Sequence, residues 1–141
     1  MANPSMLLGA STEHLIVSML LKEEREVYLP AVDDHGVDIL VKTKKQGKAN
    51  SYQELQIKSI SKGGLFAAIN CANPQKNYWF VFYIRQHKTL WLINSMDFVK
   101  IASMVTKKTK NYGKYSLALA TVKGTRKQMD KYIVHDFSKL P

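Results

Sequence analysis

The chain has 141 residues, with 21 Lys and Arg against 11 Asp and Glu, for a formal net charge of +10. That length allows a single domain with a real core, the lone Cys71 excludes a disulfide framework or a cysteine-rich zinc site, and 45% hydrophobic with 23% charged residues excludes a disordered basic tail. No apolar run is long enough to span a membrane, and the charge favours an anionic partner, nucleic acid ahead of a membrane surface or an acidic protein.

The first periodic segment runs from about Ala10 to Glu24. Ser11 or Thr12 is the expected cap, with Glu13 in the first turn. Ile16, Val17, Leu20 and Leu21 follow Glu13 at helical spacing and form one apolar face. Val27–Leu29 reads as a short strand ended by Pro30, and Asp33-Asp34-His35-Gly36 as a turn. Val37–Thr43 and Tyr52–Ile60 read as a hairpin around the polar loop 44–50. In its first strand Val37, Ile39 and Val41 face one side, and Asp38, Leu40 and Lys42 the other. In its second, Leu55, Ile57 and Ser59 oppose Glu54, Gln56, Lys58 and Ile60.

Residues 61–77 read as irregular, with a short strand or piece of helix at Leu65–Ile69. The aromatic and β-branched run Tyr78–Ile84 suits the centre of a sheet and pairs with Thr89–Ile93. Ser95 is expected to cap a helix of about Met96–Val105. A basic loop, Lys107–Lys114, a strand within Tyr115–Val122 and a helix over Thr125–Val134 complete the chain. The order predicts one α/β domain over residues 1–141, a central mixed β-sheet flanked by helices, with its core at about 11–105 and a basic extension at 106–141.

Charge is uneven along this frame. Residues 1–50 carry a net −1, residues 51–100 a net +4 and residues 101–141 a net +7. Lys107, Lys108, Lys110 and Lys114 are interleaved with Tyr112 and Tyr115, a pattern suited to a phosphate backbone and equally to a solvated loop.

Three polar positions are placed by apolar neighbours. Asp38 begins a strand, and Gln56 and Lys58 project from one face of the next. Glu13 lies at the head of a helix that must pack on this sheet. A carboxylate, an amide oxygen and an ammonium on one scaffold suit Mg²⁺-assisted cleavage of a phosphodiester. Singly, each has an ordinary reading: Glu13 as a first-turn acid, Asp38 as a turn cap, Gln56 and Lys58 as the wet face of a strand. Their order along the chain favours the joint reading.

The segments Ser-Thr-Glu13-His-Leu-Ile-Val, His-Gly-Val-Asp38-Ile-Leu-Val and Glu-Leu-Gln56-Ile-Lys58-Ser resemble the PD-(D/E)XK nuclease superfamily, in a small stand-alone bacterial form with a D…QxK motif. The resemblance covers roughly Ser11 to Val105. It implies a restriction-endonuclease-like fold and a Mg²⁺-dependent endonuclease or junction resolvase acting on DNA, with Mn²⁺ as a substitute ion. By the same resemblance Asp38, Gln56 and the carbonyl of Ile57 would hold the metal, and Lys58 would position the attacking water. Glu13 would assist through water held by the ion. Gln56 departs from the acid most members carry there, so a catalytically inactive nucleic-acid-binding protein on the same scaffold is the alternative. A basic protein binding an acidic partner is a third. The single cysteine and the absence of a basic n-region at the start suit the cytoplasm, and cutting two strands suits a homodimer.

Overall fold

A computed structural model describes residues 3–32, 36–44, 47, 49–60, 66–70, 73–121 and 123–141. The predicted turn residues Asp33, Asp34 and His35, together with Cys71 and Leu65, lie outside them. The chain opens with helix α1 (Pro4–Lys22), then β1 (Val27–Tyr28), β2 (Ile39–Lys42) and β3 (Tyr52–Ile60). β4 (Phe66–Ile69), β5 (Tyr78–Ile84) and β6 (Thr89–Asn94) lead into α2 (Ser95–Ile101). The last third holds β7 (Ser103–Met104), β8 (Tyr115–Ala118), β9 (Ala120–Thr121), β10 (Gly124–Thr125), a 3₁₀ helix (Lys127–Tyr132) and β11 (Ile133–Val134).

Six strands make the central sheet in the order β1-β2-β3-β5-β6-β11. β3 and β5 run parallel, and every other pair in it is antiparallel, so the sheet is mixed. A parallel pair needs a crossover. β4 lies in that crossover and joins β8 and β7 in a second, three-stranded sheet. The predicted hairpin of β2 and β3 and the pairing of β5 with β6 are both present.

The period-2 alternation sends side chains into two cores. Ile39, Val41, Leu55, Ile57, Val81 and Leu92 meet Ile16 and Leu20 of α1 on one face of the central sheet. On the other face Phe80, Phe82, Trp91 and Ile93 meet Phe98 of α2 and Ala67, Ile69 and Leu117 of the second sheet. The result is a three-layer α/β domain: helix, mixed sheet, then a small sheet with α2. Trp91 is fully buried, as its place in a central strand predicts.

Helix α1 starts earlier than its apolar periodicity indicates. Asn3 is the N-cap, its side chain accepting from the Ser5 N–H at 2.9 Å, and Pro4 follows at the first helical position. The Asn-Pro pair is a start signal in its own right, because proline lacks the N–H that would be orphaned there. Ser11 and Thr12 are therefore interior, and Glu13 lies mid-helix, not in a first turn. Thr12 is buried and accepts a hydrogen bond from the Ser59 hydroxyl, which pins α1 across β3.

Three further expectations change. Asn94, not Ser95, caps α2, and its side chain accepts from Met96 N–H at 3.0 Å. α2 ends at Ile101, and the chain turns into β7. The expected C-terminal helix is the short 3₁₀ helix followed by β11, which pairs with β6 and so adds a sixth strand to the central sheet. Beyond β11, Phe137 and Leu140 enter the α1-side core. Glu23 accepts from the Phe137 N–H at 3.0 Å, and buried Arg25 donates to the Leu140 carbonyl at 3.1 Å. Burial holds the Arg25 guanidinium below its ordinary pKa, and the charge of Glu23 opposes that shift.

Candidate functional site

β2 stops pairing where the site begins. Its ladder with β3 ends at Ile39↔Leu55, followed by a bond from Asp38 N–H to the Leu55 carbonyl at 2.8 Å. The next ladder position is filled by a side chain: the Asp38 Oδ2 accepts from the Ile57 N–H at 2.6 Å. A carboxylate thus replaces the main-chain carbonyl that a longer β2 would have offered. The alternation breaks at the same point. Val37, expected beside Ile39 and Val41, packs instead against the opposite core. The Asp38 carboxylate therefore lies in the ladder and not on the Leu40 face where simple alternation put it.

This arrangement bears on Ile57. The N–H and C=O of one strand residue point to the same side. The Ile57 carbonyl consequently aims, like its N–H, toward the side where β2 has ended. One carboxylate and one main-chain oxygen are brought together by strand geometry alone.

Gln56 is set by two neighbours. Parallel pairing of β3 with β5 puts Tyr78 on the same face, and its hydroxyl donates to the Gln56 Oε1 at 2.7 Å. On the other side Gly36, at φ +74°, approaches so closely that a Cβ there would stand 3.1 Å from Nε2 and 3.2 Å from Oε1. Glycine is required twice here, for its left-handed backbone and for the approach. Gly36→Ala is expected to cost about 1–2 kcal/mol and to displace the Gln56 amide. Thermal denaturation reads the first effect, and any activity assigned to the site reads the second.

Lys58 is exposed and shares a groove of about 830 Å³ with Gln56, Glu54, Leu40 and Tyr78. Lys114 lines the same groove. It stands at the base of a hairpin in which Val105 and Lys114 are bonded main chain to main chain. The other predicted lysines, Lys107, Lys108 and Lys110, are exposed toward the tip with Tyr112, which is 60% exposed. The predicted cationic loop is thus a projecting arm whose base reaches the groove. A more open hollow, lined by Thr121, Arg126, Lys127 and Gln128, contains none of the expected site residues.

Glu13 does not line the groove. It is exposed on α1, in the layer that covers the Leu55 and Ile57 face, whereas Gln56 and Lys58 project from the other face. It follows Thr12, whose hydroxyl meets Ser59, the neighbour of Lys58. Among the described residues no group of three His, Cys, Asp or Glu side chains forms a metal cluster. The candidate donors near the end of β2 are all hard oxygens: the Asp38 carboxylate, the Gln56 amide oxygen and the Ile57 carbonyl. An amide oxygen has two lone pairs, and Tyr78 takes one. Such a set fits Mg²⁺, which keeps several waters and needs few protein ligands.

Sequence reasoning missed Gly36, Tyr78 and Glu54 as parts of this site. The glycine two residues before Asp38 was the available signal for a close approach. Tyr78 was hidden because the parallel register of β3 and β5 cannot be read from either strand alone.

No protein-family model matches the sequence, and no curated protein matches it. In fold the chain is similar to the solved structure of a bacterial homing endonuclease, I-Ssp6803I, with a TM-score of 0.60 and 17% sequence identity, over 93% of this chain and 89% of that one. The likeness is one of fold, an α/β architecture with a central mixed sheet. No helix among the described residues is long and apolar enough to cross a membrane.

Proposed function

We propose that this protein is a DNA endonuclease of the PD-(D/E)XK type, with its site at the end of β2. The observation that carries this reading is the hydrogen bond from Ile57 N–H to Asp38. It sets a carboxylate beside a main-chain carbonyl, one residue from both Gln56 and Lys58, on a fold shared with an endonuclease. Asp38, Gln56 and the Ile57 carbonyl would hold Mg²⁺, or Mn²⁺ in its place. The bound ion would neutralise charge on the scissile phosphate and make an attacking water more acidic.

The chain's own residues do the rest. Asp38 supplies the negative charge of the site, which Gln56 does not. Tyr78 and Gly36 fix the direction of the Gln56 oxygen. Lys58, on the groove face, orients water toward the phosphate and balances charge developing in the transition state. Glu13, next to Thr12 on α1, would assist through water held by the ion. The Lys107–Lys114 arm tracks the phosphate backbone. Cutting both strands of a duplex calls for two such sites, so the reading includes a homodimer.

The test is cleavage of duplex, single-stranded and branched DNA with Mg²⁺ or Mn²⁺. Cleavage that survives both Asp38→Ala and Lys58→Ala would place the site elsewhere. A second reading, DNA binding without catalysis, is favoured by the neutral Gln56. It predicts binding with no metal-dependent cut. Under either reading, replacing Lys107, Lys108 and Lys110 by alanine is expected to weaken binding and flatten the dependence of log affinity on log salt by about 2–3 units. A fluorescence-anisotropy salt titration reads this directly.

A further inference from the structure

We infer that the groove beside the site reads base edges, adenine first, through the carboxamides of Asn70, Asn73 and Gln75. The inference rests on the DNA-cleaving reading and adds what that reading leaves open, namely where sequence preference would come from.

The region is rich in amide side chains, and they divide into two kinds. Gln53, Asn77 and Asn94 are spent on structure. Gln53 Oε1 accepts from the Trp79 indole N–H at 2.9 Å and its Nε2 donates to Thr43. Asn77 donates to the Tyr52 carbonyl, and Asn94 donates to the Lys76 carbonyl while capping α2. Asn70, Asn73 and Gln75 are different. All three are exposed and line the groove, and among the described residues their side chains make no hydrogen bond.

The support of Gln75 is nonetheless rigid. Asn70 directly follows β4, and Asn73 and Gln75 lead into β5. The main chain of Gln75 is clamped by a fully buried serine: its N–H donates to Ser95 Oγ at 2.9 Å, and the Ser95 hydroxyl donates back to the Gln75 carbonyl at 2.9 Å. That carbonyl also accepts from Tyr78 N–H at 3.1 Å. The backbone is thus held to the core while the amide is left to the groove, as a preorganised recognition residue requires.

An Asn or Gln carboxamide offers a donor and an acceptor side by side. That pair matches the N6 donor and N7 acceptor of adenine. Lys58 and Lys114 on the same groove supply phosphate contacts, which position a duplex without reading it. Positioning cations and reading amides therefore border one groove.

The test is selection from a random-sequence duplex pool in EDTA, followed by sequencing of the bound fraction. Wild type is expected to enrich a motif containing adenine. Asn73→Ala and Gln75→Ala, made singly, are each expected to relax preference at one position by about tenfold or more. The triple Asn70, Asn73 and Gln75 alanine variant should lose the motif, with melting temperature checked for each protein. A motif unchanged in the triple variant, or wild-type binding with no preference, overturns the inference and leaves the endonuclease reading standing. Failure of wild type to bind any duplex also overturns the inference, whereas the endonuclease reading falls only if duplex, single-stranded and branched DNA all stay uncut in Mg²⁺ and Mn²⁺.

Discussion

Asp38→Asn is expected to abolish DNA cleavage while leaving the protein folded. The asparagine keeps an oxygen that can accept from Ile57 N–H, so the end of the β2–β3 ladder survives. What disappears is the charge, the only full negative charge among the three oxygen donors at this point. The bond changes from charge-assisted to neutral, a loss of about 1 kcal/mol. Loss of the charge proposed to hold the ion is expected to lower the single-turnover rate by about 10³-fold or more, on the order of 4 kcal/mol of transition-state stabilisation. Asp38→Ala separates the two roles. It should match the kinetic loss and additionally leave the Ile57 N–H without its acceptor, at about 1–3 kcal/mol. Cleavage kinetics and thermal melts of the two variants, measured together, distinguish a metal ligand from a mere ladder cap.

Phe98→Ala is expected to be the most damaging core substitution. Phe98 is fully buried and lies between two layers. Its ring meets Phe80 at 4.8 Å and Phe82 at 5.9 Å in the central sheet, and Tyr115 of β8 at 6.3 Å. Truncation leaves a cavity among three aromatic rings. The expected cost is about 3–5 kcal/mol, a large share of the roughly 5–15 kcal/mol that holds a domain folded. The melting temperature should fall by on the order of 10 °C. The loss should be felt most in the small sheet, because Phe98 ties β8, which anchors the lysine arm, to the central sheet. Denaturant titration gives the magnitude. Hydrogen exchange should show β7 and β8 losing protection before β3 and β5.

The parts of this molecule visible in its sequence were those set by local periodicity. Alternation in Tyr52–Ile60 put Gln56 and Lys58 on one face and Leu55 and Ile57 on the other, and the two cores follow that division. Tyr78–Ile84 read as a central strand because it is apolar throughout, and it lies buried between β3 and β6. The start of α1 was also legible, in Asn3-Pro4, but the apolar stripe drew the boundary to where packing begins.

What escaped is set by partners distant in the chain. Parallel pairing of β3 with β5 decides that Tyr78 meets Gln56, and nothing in either segment encodes that register. The break at Asp38 is similar: alternation assigned its carboxylate to a face, whereas the departure of β2 at Gly36 sends it into the ladder. The C-terminal segment followed helical spacing at Met129 and Ile133, yet the edge of β6 captured Ile133–Val134 as a strand. The groove amides carry no periodicity at all. Only the contrast with amides already bonded elsewhere sets them apart.

The end of β2 is proposed to be a metal-dependent cutting site. This is tested most directly by incubating the wild-type protein with supercoiled plasmid DNA in Mg²⁺ and, in parallel, in EDTA, and resolving the products by gel electrophoresis. The expected result is nicked and linear DNA in Mg²⁺, none in EDTA, and none with Asp38→Asn in either. Intact plasmid in Mg²⁺ and in Mn²⁺, from protein that binds the same DNA, would contradict it.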